Sequence, residues 1–123
     1  METLKVKTSE LIAVRDEAGQ LLSKEKISFL AKFKIADVHK SLVAKLETFE
    51  STRKEMIEKF GVLDDKKENY SIPEDKQEEF KDTLQSLLDA EIEFQYEPLD
   101  IALIAKLETE NVYYQVFKLF NAA

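Results

Sequence analysis

Glu91, Glu93 and Glu97 stand at or near alternate positions late in the chain, and their spacing is the first to suggest chemistry. On one face of a strand, residues at i and i+2 lie ~7 Å apart, within the span of the carboxylate pairs that cleave glycosidic bonds. Sugar chemistry asks for more than acids, and the chain has no tryptophan platform and no glycine-rich loop. A solvated strand face, or a ladder of glutamates paired with lysines, is the better expectation. Asp64, Asp65, Glu68 and Asn69 superficially suggest calcium, but the spacing and central glycine of an EF-hand are missing. The single histidine, His39, falls beside Leu42 and Leu46 on an apolar helical seam. A hydrogen-bonded rim or core histidine is expected there, ahead of a pH-sensitive contact or a lone ligand. Arg53 shares the seam. It is expected to pair with an acid of a later helix at 75–90 or, on a sharper reading, to set helix register or partner choice as polar seam residues do in coiled coils.

Composition removes whole classes of function. Zero cysteines exclude a disulfide framework, a thiolate metal site and a cysteine nucleophile. One histidine and two glycines leave little for histidine-paired catalysis or a phosphate-cradling loop. The expectation is a protein that is not an enzyme and carries neither cofactor nor metal. The 123 residues, 44% apolar and 35% charged, suit one compact domain over 1–123 rather than a disordered chain.

The net charge of −7 is unevenly spread: residues 1–61 carry 12 Lys/Arg and 10 Asp/Glu, whereas residues 62–123 carry 6 and 15. Such an acidic chain repels phosphate backbones, so a nucleic-acid partner is not expected. The lysines at 24, 26, 32, 34, 40 and 45 scatter around a helix at 100° per residue and form no stripe. The first residues hold no apolar core of a secretory signal, and no run approaches the ~18 apolar residues that span a bilayer. A cytosolic protein with no membrane partner is expected.

The elements that would hold these residues follow from periodicity. Residues 3–7 alternate apolar and polar, as in a short strand with Leu4 and Val6 inward. Thr8 or Ser9 then caps a helix whose buried face is Leu11, Ile12, Val14 and Ala18, with Gly19 as its stop unless Leu21 and Leu22 continue it. From 25 to 60 there is neither Gly nor Pro. Ile35, Leu42, Phe49 and Met56 recur every seven residues, with His39, Leu46, Arg53 and Phe60 as a companion set, all within ~60° of one direction on a helix. Ile27, Leu30 and Phe33 point ~120° away, so a kink or a change of neighbour is expected between Phe33 and Ile35. A continuous rod over 27–60 would be ~50 Å long, more than a body of this size can cover.

Gly61 should close the rod, with Val62 folding back on Ile57. A charged loop over 63–69 and an extended segment at 70–72 lead to a helix over 75–90, opened by Asp75 and Glu78 at capping-box spacing. Its stripe of Phe80, Leu84, Leu87 and Leu88 matches the rod, predicting an antiparallel hairpin. The strand at 91–97 places Ile92, Phe94 and Tyr96 on one side and glutamates on the other, with Lys5 and Lys7 as cross-strand partners. Residues 99–104 are ambiguous between strand and helix. Thr109 is expected to cap a last helix bearing Val112, Tyr113, Val116, Phe117 and Phe120. The fold class expected is α+β, predominantly helical: a long-helix hairpin with a small two- or three-stranded sheet.

Several segments resemble a family of short, uncharacterised phage and prophage proteins of Gram-positive bacteria. They are Leu4-Lys5-Val6-Lys7-Thr8-Ser9-Glu10-Leu11-Ile12-Ala13, the stretch 49–61 from Phe49 to Gly61, Tyr70-Ser71-Ile72-Pro73, Leu87-Leu88-Asp89-Ala90-Glu91-Ile92-Glu93 and Glu97-Pro98-Leu99. The resemblance covers roughly residues 3–101 and implies a phage-encoded protein acting in the host bacterial cytoplasm or in a virion. It supplies no catalytic or binding residue.

The function expected is therefore a non-enzymatic phage protein that works by protein–protein contact and self-associates, with a homo-oligomer or a phage or host protein as partner. The candidate contacts are Ile35, His39, Leu42, Phe49, Arg53 and Met56 on the rod, and Tyr114, Phe117 and Phe120 near the end of the chain. A virion structural or assembly component, and an acidic inhibitor of a host nucleic-acid-handling protein, are the alternatives.

Overall fold

The computed structural model describes residues 1–24, 26–66, 69–100 and 115–121. In chain order these form β1 (Glu2–Lys7), α1 (Thr8–Lys24), α2 (Phe29–Lys45), α3 (Glu47–Phe60), β2 (Val62–Leu63), β3 (Tyr70–Ser71), α4 (Glu74–Asp89), β4 (Glu91–Tyr96) and β5 (Leu99–Asp100). A 3-10 turn over Val116–Leu119 and β6 (Phe120–Asn121) follow. The class is α+β and predominantly helical, as expected. The sheet differs in form: among the described residues there are three separate two-stranded pairs, β1 with β4, β2 with β3, and β5 with β6.

The alternation read in both long strands produces the main pair. β1 and β4 run antiparallel with Leu4 opposite Phe94, Val6 opposite Ile92, Lys5 opposite Glu93 and Lys7 opposite Glu91. Lys5 Nζ reaches Glu93 at 3.4 Å, while Lys7 Nζ turns to Asp89 at 4.0 Å rather than to its cross-strand glutamate. Thr8 is buried at the strand–helix junction, where its amide and its hydroxyl both donate to the Ala90 carbonyl at 2.9 Å. That bond replaces the capping role expected of the Thr8 side chain.

Helix α1 does not stop at Gly19 but runs on to Lys24, carrying the buried Leu21 with it. Gly19 has another use. A Cβ there would lie 3.3 Å from His39 Nε2, so the missing methyl admits the histidine of α2 to the helix crossing. Leu11, Val14, Ala18 and Leu21 of α1 and Ala31, Ile35, Val38 and Leu42 of α2 are buried together, and Val6, Leu46, Phe94, Leu99 and Leu119 complete that core.

The rod expected over 27–60 is two helices. Ser28 caps α2 by accepting the Ala31 amide, and the two helices join at Leu46, whose φ and ψ are −87° and −1°. Across the join the Leu46 amide still donates to the Leu42 carbonyl at 3.1 Å and the Glu50 amide to the Leu46 carbonyl at 3.0 Å. The junction therefore falls one turn beyond Leu42, and not between Phe33 and Ile35. The change of phase at Phe33 has a different cause: its side of α2 is left largely exposed.

α3 and α4 form the expected antiparallel hairpin through β2 and β3, and Phe60 meets Phe80 edge to face at 6.1 Å. Gly61 closes α3 through its amide to the Ile57 carbonyl at 2.8 Å, but its φ of −90° is ordinary extended backbone, not the left-handed stop expected, and Val62 is exposed. A Cβ at Gly61 would lie 2.5 Å from the Ile57 carbonyl oxygen and 3.2 Å from Tyr70 Cβ, so close approach is what calls for glycine. α4 begins after Pro73 with no side-chain cap, so the Asp75–Glu78 box is not used. Residues 116–121 form the 3-10 turn and β6 rather than the end of a helix, and β6 pairs parallel to β5. The Thr109 cap, Val112, Tyr113 and residues 101–104 lie outside the described residues.

Candidate interaction surface

The heptad seam is spent inside the molecule. Ile35 is 1% exposed, Leu42 0% and Met56 7%, so three of the candidate contacts have no surface left for a partner. The expectation that the rod outgrows its own cover fails here because α1 lies along one half of the seam and α4 along the end of the other. Phe49 is half-buried, and His39 is a half-buried rim residue over Gly19. Tyr114 lies outside the described residues, as do the side chains of Phe117 and Phe120. Leu119, between them, is buried in the core.

Arg53 is exposed and finds its acid on its own helix, with Nη2 3.3 Å from Glu50 Oε2, not on α4 as expected. Glu50 is the hub of a small network, because Arg15 Nη1 of α1 donates to its other oxygen at 3.0 Å and Arg15 Nε to Asp16 at 3.1 Å. The Arg15 bond, with the charge of Arg53 behind it, holds the Glu50 carboxyl below the usual carboxylate range against a smaller opposing effect of burial. Burial pulls the Arg15 guanidinium down, but its bonds to Glu50 and Asp16 outweigh that and leave it raised. The network ties α1 to α3, and its geometry is that of a clasp.

The residues that do lack cover were not among the candidates. Phe29 is 91% exposed, Leu30 58% and Phe33 72%, all on the first two turns of α2 and opposite its buried face. Their signal in the sequence was the departure of Leu30 and Phe33 from the heptad direction, which marks a second face on one helix.

Beside this strip, α2 runs along the edge of β4 that β1 does not use, and the two are separated by a groove. One cavity of about 410 Å³ lies between Phe33, Asp37 and Val38 on one wall and Phe94, Tyr96 and Leu99 on the other. A second of about 550 Å³ continues it past Ser41, Ala44 and Lys45 along Glu93, Phe94 and Gln95. Both inward and outward residues of β4 line it, so the strand is presented edge-on. Burial raises the Tyr96 phenol above its ordinary range, with Glu2 adding to the effect, and its hydroxyl donates to the Lys118 carbonyl at 3.1 Å.

Glu91, Glu93 and Glu97 are exposed on the solvent side, and among the described residues Glu93 alone of the three makes an ion pair, to Lys5. Among the described residues no three His, Cys, Asp or Glu side chains come together as a metal site, and no helix is long and apolar enough to cross a membrane. No protein-family model, curated protein or solved structure matches the chain.

Proposed function

We propose that this chain is a non-enzymatic protein that works by protein–protein contact and self-associates through the strip of Phe29, Leu30 and Phe33. The observation that carries the reading is the exposure of two phenylalanines and a leucine on adjoining turns of one helix, where burial of each would be worth ~1.5–3 kcal/mol. Exposed apolar patches of this kind mark contact sites on folded proteins. The support is the strip, and not the heptad seam from which self-association was first expected.

The strip is small. At ~150–250 Å² for each aromatic side chain, it falls short of the ~800 Å² per partner of stable interfaces, so the association is weak and concentration-dependent. The resemblance to short phage proteins supplies the setting, host cytoplasm or virion. Light scattering over a concentration series tests the reading. The mass of the native chain should climb from 14.2 kDa toward twice that value, and Phe29→Glu with Phe33→Glu should remain at 14.2 kDa. Both side chains are exposed, so the variant should melt as the native protein does. A native chain that stays monomeric at its highest soluble concentration overturns the proposal.

A further inference from the structure

The groove between α2 and β4 is bounded on one side by a strand edge with open main-chain groups. β4 exchanges its ladder bonds with β1, and its other edge finds no main-chain partner among the described residues. Edges of this kind accept another strand unless they are guarded by lysine, proline, a bulge or a covering element. β1, at the opposite border of the pair, carries Lys5 and Lys7; β4 carries no lysine, and α2, which meets it through the buried Val38 and Phe94, leaves the two cavities open beside that contact.

The chemistry of the occupant can be read from β1. That strand alternates apolar residues, which meet Phe94 and Ile92, with lysines, which stand opposite Glu93 and Glu91. Among the described residues Glu91 and Glu97 find no ion-pair partner, which leaves acidic charge on the solvent face of the open side. A second copy of β4 is disfavoured there. Set antiparallel with its apolar face matched, it would bring Glu91 opposite Glu97 of the copy, and like charges directly opposed are destabilising.

We infer that this groove binds an extended peptide segment of another protein by strand addition, and that the segment alternates apolar residues with lysine or arginine. Main-chain bonds to the β4 edge supply the affinity, and alternate side chains supply the selectivity. Basic residues stand opposite Glu91, Glu93 and Glu97, and apolar residues lie over the exposed Phe33 and half-buried Tyr96, because Val38 and Phe94 are already enclosed in the core. Six residues of β4 span ~20 Å, so a segment of about six residues fills the site. The groove shares Phe33 with the self-association strip, whereas Phe29 and Leu30 do not line it.

The test is fluorescence anisotropy on the full chain with a labelled, end-blocked heptapeptide of alternating valine and lysine. Saturable binding that weakens with salt is expected. Two versions methylated on alternate main-chain nitrogens separate strand addition from loose attraction: one should lose at least about tenfold in affinity, and the other should bind as the parent does. Equal binding by both methylated peptides overturns the inference, as does the absence of saturable binding by the parent. A peptide with glutamate in place of lysine should not bind; if it binds as tightly, the basic character assigned to the partner is wrong.

Glu91→Gln with Glu97→Gln should weaken binding about two- to thirtyfold, the worth of two exposed pairs at ~0.2–1 kcal/mol each. Unchanged affinity in that variant likewise overturns the charge assignment. Phe29→Glu should leave peptide binding intact, so failure of self-association and failure of the groove are read separately.

Discussion

In α1 and α2, eight apolar side chains from Leu11 to Leu42 are buried against one another and against β1 and β4, whereas α4 buries none of its residues and α3 only Met56 and Phe60. Both regions are amphipathic helix pairs with similar residue types. What separates them is the number of sides that find cover. The α1–α2 crossing has a sheet over it and the Leu119 turn beneath Tyr96, so its seam is closed from several directions. The α3–α4 hairpin covers itself on one side and leans on α1 through α4, which leaves Phe80, Leu84, Leu87 and Leu88 half-buried. Apolar periodicity is thus enough to pair two helices, but a sealed core takes a third element.

The contrast breaks most sharply under truncation. Leu42→Ala should cost ~2–5 kcal/mol, the range for a fully buried leucine, and Leu84→Ala on the half-buried stripe clearly less. Denaturant melts of the two variants compare them; equal losses would mean that the hairpin is as tightly enclosed as the crossing. Next in size is Gly61→Ala. Its new methyl must push against the Ile57 carbonyl, a main-chain atom that cannot swing aside, and the expected loss is ~1–3 kcal/mol. Hydrogen exchange should place the resulting opening in α3, β2 and β3 before α1 and α2.

The smallest effect belongs to the clasp between the two regions. Glu50→Gln should cost ~0.2–1 kcal/mol, because Arg15, Glu50 and Arg53 are partly or largely exposed and solvent screens them. A carboxyl whose folded pKa is depressed stabilises above its unfolded pKa and ceases to as pH falls through the folded value. The gap in stability between native and Glu50→Gln proteins should therefore hold at neutral pH and close in acid. A gap that persists below the carboxylate range would show that the clasp acts through packing instead of charge.

Local pattern predicted local structure well. The alternation at 3–7 and 91–97 became β1 and β4 with the Lys5–Glu93 contact, and the 75–90 helix is displaced by one residue. The heptad of Ile35, Leu42 and Met56 identified what is buried, but not what buries it. Periodicity measures how apolar one face is, and it carries no information about which neighbour will lie on it. The same limit explains why Phe29 and Phe33 did not stand out: their exposure is a property of the whole fold. Gly19 and Gly61 were read as conformational stops, yet both are close approaches, to His39 and to Ile57 and Tyr70, residues near in space that spacing alone does not reveal. Arg53 went to the nearest carboxylate at i−3, where a short tether outcompetes a distant helix.

The two hydrogen bonds that Thr8 donates to the Ala90 carbonyl close a span of 82 residues, and β1 has its partner strand just beyond them. During synthesis at ~5–20 residues per second, the first strand waits ~4–16 s for the strand that completes it. Over that interval Leu4 and Val6 lie open on a nascent chain whose helices can already form. β1 and β4 are thus joined after the helices between them can form, and a chaperone that shields β1 would act in that window.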